Sequence, residues 1–302
     1  MIDYDAHRWR DHFFDIRGSM VRDIMYRVLS CLLLAVAVTC VDKYYVRLGI
    51  SDKGHTLVSV ALGLLLVFRT NAAYDRFWEG RKLWGAIVNS SRNLARVAAV
   101  LLAERPALVR RVLVLTIAFS YATMQRLRNR PGLGPFEAAF GAELGEGGPA
   151  LQAELQAAPH LPLALAVQLS ERLKEAHAAG LVNDYQHMTI DQNVQLLIDH
   201  IGGCERISRT PLPFAYVVHL RRALLIYCYT LPFALLPAFG WGTVVVTLLL
   251  SYVLLGIEEI GVEISDPFGT DDNDLPLEAV CATIESNLRA LLPAPGSSAR
   301  IE

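Results

Sequence analysis

The sequence predicts an all-α membrane protein with four transmembrane helices per subunit and a large cytosolic helical region. Three observations predict it. Uncharged runs of membrane character stand at four places among the 302 residues. Between the second and the third lies a long stretch with apolar residues at helical spacing, and no stretch alternates with the period of two that marks a strand. Composition agrees: 53% of the residues are hydrophobic and 19% charged, against about 25% charged in a soluble domain. The net charge of -2 provides no basic footprint for nucleic acid.

The elements follow in order. The first 27 residues mix charges with aromatics and lack the apolar core of a cleavable signal. The first span is placed at 28–46, where Val28–Val41 carries no charge and "YYV" continues past Asp42 and Lys43. The second is placed at 56–70. The third and fourth, at 223–239 and 243–260, share one uncharged run of 35 residues from Ala223 to Ile257. That exceeds a single crossing of about 20 residues. Pro232, Pro237 and "GWG" at Gly240–Gly242 divide it, and a tight turn between two helices keeps the backbone hydrogen-bonded in lipid. Residues 71–221 read as a mainly cytosolic helical region, punctuated at Pro106 and by a Gly- and Pro-rich loop near 131–149. Residues 261–302 form a cytosolic C-terminal segment, and 1–302 is read as one domain.

Positive charge orients the chain. Arg8, Arg10, Arg17, Arg22 and Arg27 precede the first span, Arg69, Arg76, Arg81 and Lys82 follow the second, and Arg221 and Arg222 precede the third. The opposite side holds Lys43, Arg47 and Lys53. The positive-inside bias then places both termini and the large middle region in the cytoplasm.

The second span sets a problem. In "LVSVALGLLLVFRTNAAYDRFWEGRKLWG" the 13 uncharged residues Thr56–Phe68 run into Arg69 without a helix breaker. At 1.5 Å per residue they cover about 20 Å, short of a hydrocarbon core near 30 Å. A lipid-surrounded helix would hold Arg69 inside the bilayer, at roughly 2.5–3.5 kcal/mol for an arginine at mid-depth. A helix that lines a protein-sheltered or watery path avoids that cost. Val60, Leu64 and Phe68 fall at i, i+4 and i+8, along one face; Ser59 and Gly63 beside them permit close approach of neighbouring helices. The same spacing also suits an ordinary buried span.

The block "FRTNAAYDRFWEGRKLWG", with "CERISRTPLPFAYVVHLRR", "YCYTLPFALL" and "IEEIGVEISDPFGTDDNDLPLE" in the same order, resembles the bestrophin family in its bacterial form. The matching blocks run from the second span almost to the C-terminus. The resemblance implies a homopentamer around one axial pore, with the second helix lining it. Three apolar residues spaced by four form the narrow neck in that family, and here they match Val60, Leu64 and Phe68. A greasy ring gates by dewetting and does not itself choose an ion. The family is best known for chloride-type anion channels, while bacterial members also pass monovalent cations; the sequence leaves that choice open. A second aperture is implied at the cytosolic exit, near Asn193, Val194 and Leu197, although Leu196, Leu197 and Ile201 equally suit a helical core. The implied partners are further copies of the chain, membrane lipid and small inorganic ions.

In animal members the acidic loop after the fourth span forms a calcium clasp, and Asp271 and Asp274 match its carboxylate ligands. Bacterial members are not regarded as calcium-gated, Asn273 interrupts the acidic run, and no cofactor is required. A simpler account has Asp274 capping the helix that starts near Leu275, with the other acids favoured by the helix dipole. Glu258, Glu259 and Glu263 are expected to pair with Arg69, Arg76 and Arg81. The five cysteines form no CxxC and the eight histidines no HExxH, which argues against a metalloenzyme. Two rivals to the channel remain: a membrane metalloenzyme using 266–274 and Glu263, and a non-conducting scaffold.

Overall fold

Ten α-helices and one 3₁₀ turn, with no strand, make up the described residues of the computed structural model, 20–145 and 147–292. Arg8, Arg10 and Arg17 and the end of the C-terminal segment lie outside them. The chain divides into two compact units. One comprises the described residues up to Trp78 together with Thr210–Asp274; the other comprises Glu79–Arg209 and the described residues from Leu275 onward.

The first unit contains α1 (Val21–Tyr44), the start of α2 (Lys53–Leu101), α8 (Phe214–Phe239) and α9 (Gly242–Glu263). The segments placed at 56–70, 223–239 and 243–260 lie within these helices, while the first, 28–46, runs past the end of α1 at Tyr44. Ile24, Val28 and Cys31 of α1, Leu62 and Leu66 of α2, Leu220, Leu224, Cys228 and Leu231 of α8, and Leu255 of α9 share one buried cluster. The opposite surfaces are apolar as well: Leu33 on α1, Ile226 on α8, and Val245 and Leu249 on α9 are exposed. That is the reverse of a soluble domain. Between helices in lipid the cohesion comes from close packing rather than from expelling water.

Proline and glycine shape one end of this unit. α8 runs through Pro232 and Pro237 and stops at Gly240, whose φ of +51° suits a residue without a Cβ. Pro237 has no N–H, so it leaves the Phe233 carbonyl without its helical partner. The Ile50 N–H, from the α1–α2 loop, donates to that carbonyl at 3.0 Å. Gly49 makes the approach possible, since a Cβ there would sit 2.9 Å from the Pro237 ring. The Asp42 carboxylate accepts the Leu48 N–H at 2.7 Å and holds the loop in that path.

The second unit contains the rest of α2, α3 (Pro106–Leu127), a 3₁₀ turn (Gly134–Phe136), α4 (Glu137–Glu143), α5 (Gly148–Gln156), α6 (Leu161–Ala178), α7 (Asp184–Arg209) and α10 (Leu277–Arg289). α3 opens with Pro106 in its first turn, where a missing N–H costs nothing. It packs against α6, α10 and α7, and every side chain from Val112 to Gln125 is buried. Among the described residues, five helices are long and apolar enough to cross a membrane, the four of the first unit and α3. Its apolar run is covered by protein, which explains how a segment flanked by arginines serves as a core.

Candidate functional site

The row Val60, Leu64 and Phe68 lies along α2 with relative exposures of 71%, 56% and 57%. The other side of the same helix, through Leu62, Leu66 and Arg69, is buried in the first unit. Large apolar side chains in line and uncovered by their own chain mark a surface made for another body, for lipid or for a passage. Beyond the adjoining residues and backbone of α2 itself, no atom of the described residues lies within 4 Å of where a Cβ on Gly63 would stand. The close approach which that glycine permits is therefore open to something outside the chain.

Arg69 is 2% exposed. Its Nε and Nη1 have no hydrogen-bond partner. It lies against Gly261 of α9, where a Cβ would stand 3.6 Å from the Arg69 Cγ, at ordinary contact distance. Glu258, on the same helix, is buried, but its Oε1 accepts from the Arg221 Nε at 2.8 Å and its Oε2 faces the Arg27 Nη1 at 3.8 Å. The Arg27 Nη2 donates to Glu259 at 2.8 Å. Arg76 donates from Nε to the Ser265 carbonyl at 2.9 Å and from Nη1 to the Thr210 carbonyl at 2.6 Å. The glutamates thus take Arg27 and Arg221 as partners, two arginines that sequence reasoning used only to orient the chain. Glu263 accepts from the Asn273 amide at 3.0 Å. The Tyr216 hydroxyl donates to the Leu65 carbonyl on α2 at 3.1 Å.

The acidic segment folds into a turn closed on itself. Asp274 is 3% exposed; its Oδ2 accepts the Asp271 N–H at 2.7 Å, while its own N–H donates to the Asp271 carbonyl at 3.0 Å. Burial, reinforced by the negative charges of Asp271, Asp266 and Glu263, pushes the Asp274 carboxyl up to about 6. The helix that follows, α10, has Pro276 at its N-cap and no side-chain cap. Asp274 therefore caps the preceding turn and not the helix. A hard cation needs six to eight oxygens, and among the described residues no three of His, Cys, Asp and Glu converge to hold one.

On α7, Ile190, Val194, Leu197, Ile201 and Cys204 form one buried stripe, and the helix packs against α6. Val194 and Leu197 accordingly line the interior of the second unit, which corrects their expected place at an aperture. The alternative reading of Leu197 and Ile201 as core is the one their burial matches. Asn193 is half-buried, with its side-chain amide turned to the carbonyls of Thr189 and Ile190. The exposed side of α7 begins instead with Tyr185 and Met188 and continues through Gln192. Their spacing of three and four residues was readable in the sequence; which face it covers was not. All five cysteines are free thiols.

Relatives and solved structures agree with this architecture. A family model described as Bacterial/Fungal Bestrophin protein matches residues 1–290. A curated relative from Nostoc sp., named voltage-dependent anion channel-forming protein, is 42% identical over 93% of this chain and 90% of its own length. One from Synechocystis sp. with the same descriptive name is 39% identical over 95% and 92%. The crystal structure of a bacterial bestrophin homolog from Klebsiella pneumoniae superposes with a TM-score of 0.81 at 31% identity, covering 89% of this chain and 98% of that one. The blocks that carry the resemblance, the all-helical fold and these matches make this chain a membrane protein of the bacterial and fungal bestrophin family.

Proposed function

We propose that the chain forms a homopentameric channel that passes small monovalent ions, anions foremost, down their electrochemical gradient. The observation that carries this reading is the uncovered row Val60, Leu64 and Phe68, backed by a buried face on the same helix. Five copies of α2 around one axis would turn the row into three apolar rings, a neck that opens by wetting. The exposed face of α2 also takes in Leu57, Val67 and Tyr74. That is wider than a single lining row, so neighbouring copies have surface left to seal against. Four crossings, by α1, α8, α9 and the first part of α2, put both termini in the cytoplasm at the cell inner membrane. The preference for anions follows from the names of the Nostoc and Synechocystis relatives.

At the cytosolic exit, the exposed side of α7, from Tyr185 and Met188 to Gln192 with Asn193 at its edge, is the surface suited to an aperture. The function needs no cofactor. Calcium at Asp271 and Asp274 is tested separately, by adding CaCl₂ or a chelator to the same assay.

Reversal potentials in asymmetric NaCl, across bilayers containing purified protein, test conduction and ion sign together. The combined change Val60→Ala, Leu64→Ala and Phe68→Ala is expected to raise conductance severalfold while the oligomer survives on size-exclusion chromatography. A wild-type protein that assembles and carries no current would instead favour the scaffold reading. Turnover that depended on added divalent metal and vanished with Asp271→Ala would favour the metalloenzyme.

A further inference from the structure

We propose that the guanidinium of Arg69, sealed inside each subunit one residue past Phe68, sets the charge preference of the neck and favours chloride over sodium. This rests on the channel reading and supplies what that reading lacks. Rings of Val, Leu and Phe carry no charge and raise a dehydration barrier against either sign of ion. Selectivity then has to come from fixed charge close behind the wall.

Arg69 is the only formally charged residue on α2 between Lys53 and Asp75. It stands on the face opposite the Leu64–Phe68 row, behind one helix thickness of roughly 10 Å. At 2% exposure, with Nε and Nη1 unpartnered, almost no water reaches the charge. A charge in such a medium acts across a low dielectric and within the screening length of physiological salt. Repeated by symmetry it becomes a ring, and walls of low dielectric focus its field into the lumen.

Among the described residues, that charge has no acid of its own. Its charged or polar neighbours are Glu258, Arg221, Tyr216 and Arg76. Glu258, the one acid among them, already holds Arg221 by a hydrogen bond and Arg27 by an ion pair. Glu259 serves Arg27. Among the described residues, Arg27, Arg221 and Arg69 therefore draw on two glutamates, Glu258 and Glu259. On α9 and in the turn after it, Glu263 and the acids of 266–274 begin more than a helical turn beyond Glu258 in sequence. A methionine would fill the same volume without burying an ion, so a purely structural account explains the packing but not the charge.

The test measures chloride-to-sodium permeability ratios from reversal potentials for wild type, Arg69→Lys, Arg69→Met and Glu258→Gln, each shown to assemble by size-exclusion chromatography. Arg69→Met is expected to lower the ratio roughly tenfold, as loss of a nearby unscreened charge predicts. Arg69→Lys should keep it within about twofold, and Glu258→Gln, which removes the shared counter-charge, should raise it. Arg69→Met that conducts with the wild-type ratio overturns the inference. So does an equal loss in Met and Lys, which would mark shape rather than charge. If Arg69→Met does not assemble, Glu258→Gln decides, and an unchanged or lower ratio overturns it. A wild type that prefers sodium sinks the role of Arg69 and leaves the channel standing; a wild type without current sinks both.

Discussion

The membrane part of α2 and the whole of α3 are both long and apolar enough to cross a bilayer, yet their environments differ. The most apolar window of α2 is 22% buried within the chain, that of α3 83%. Hydropathy measures how strongly a segment avoids water, and it is silent on whether lipid, a partner or the chain's own helices take water's place. α3 finds its cover in α6, α7 and α10. α2 leaves Val60, Leu64 and Phe68 outside and turns a charge, Arg69, inward. The inversion separates a helix built to hold a unit together from one built to meet something beyond its own chain.

Polar substitution at matched sites breaks the comparison most directly. Phe119→Asp, at a fully buried site on α3, should destabilise the protein by about 4 kcal/mol or more and abolish folded protein on expression. Leu64→Asn should leave the melting temperature nearly unchanged and alter ion flux instead. Equal loss of folding in both would erase the distinction drawn here.

The end of α3 is fastened by a charge pair, which sharpens the contrast with the uncovered row. Arg126 donates to Glu205 of α7, and His160 approaches the same carboxylate at 3.2 Å. Burial raises the Glu205 carboxyl, but Arg126, His160 and Arg209 together hold it below the usual carboxylate range. A depressed folded value means the stabilisation is present above pH about 4.5 and is lost as pH falls through the folded value. Glu205→Gln should therefore lower stability by about 2 kcal/mol at pH 7, and its melting temperature should converge on wild type as the buffer is acidified through the lowered Glu205 value. A gap that stayed constant with pH would remove the ion pair from the account.

A smaller effect is expected in the first unit, where Gly49→Ala drives a methyl group into the Pro237 ring and should cost about 1–2 kcal/mol. Thermal melts in detergent measure it; no change would show that the loop gives way freely. Smallest of all is the contrast between two faces of α7. Val194→Ala should cost about 1 kcal/mol with ion flux unchanged. Met188→Ala should stay within about 0.5 kcal/mol of wild type and change the flux.

Much of the architecture was legible in the sequence because local rules govern it. The run Ala223–Ile257 had to turn, and Gly240 with its positive φ marks where it does. Thr56–Trp78 holds no breaker, and α2 has none. The row Val60, Leu64 and Phe68 was legible as a face, since i, i+4 and i+8 share one in any helix. What failed depends on tertiary partners. The spacing 190, 194, 197, 201 announced a stripe on α7 but not whether it looked in or out. Three acids and several arginines near the end of α9 announced ion pairs. Only the packing of α1, α8 and α9 decided that Arg27 and Arg221 take Glu258 while Arg69 goes without. Asp274 was misread as a helix cap because a carboxylate before a helix suits that role, whereas the nearer Asp271 N–H claimed it.

The Ile50 N–H that completes the Phe233 carbonyl has a consequence for how the protein is made. Synthesis runs from the N-terminus, so the first hairpin leaves the ribosome some 180 residues before the proline-broken rod that needs its donor. An orphan carbonyl in hydrocarbon is expensive, and here the group that relieves it is already waiting when α8 enters the bilayer. Circular permutation that delivered α8 before residues 49–50 would reverse that order and leave nascent chains dependent on insertion chaperones.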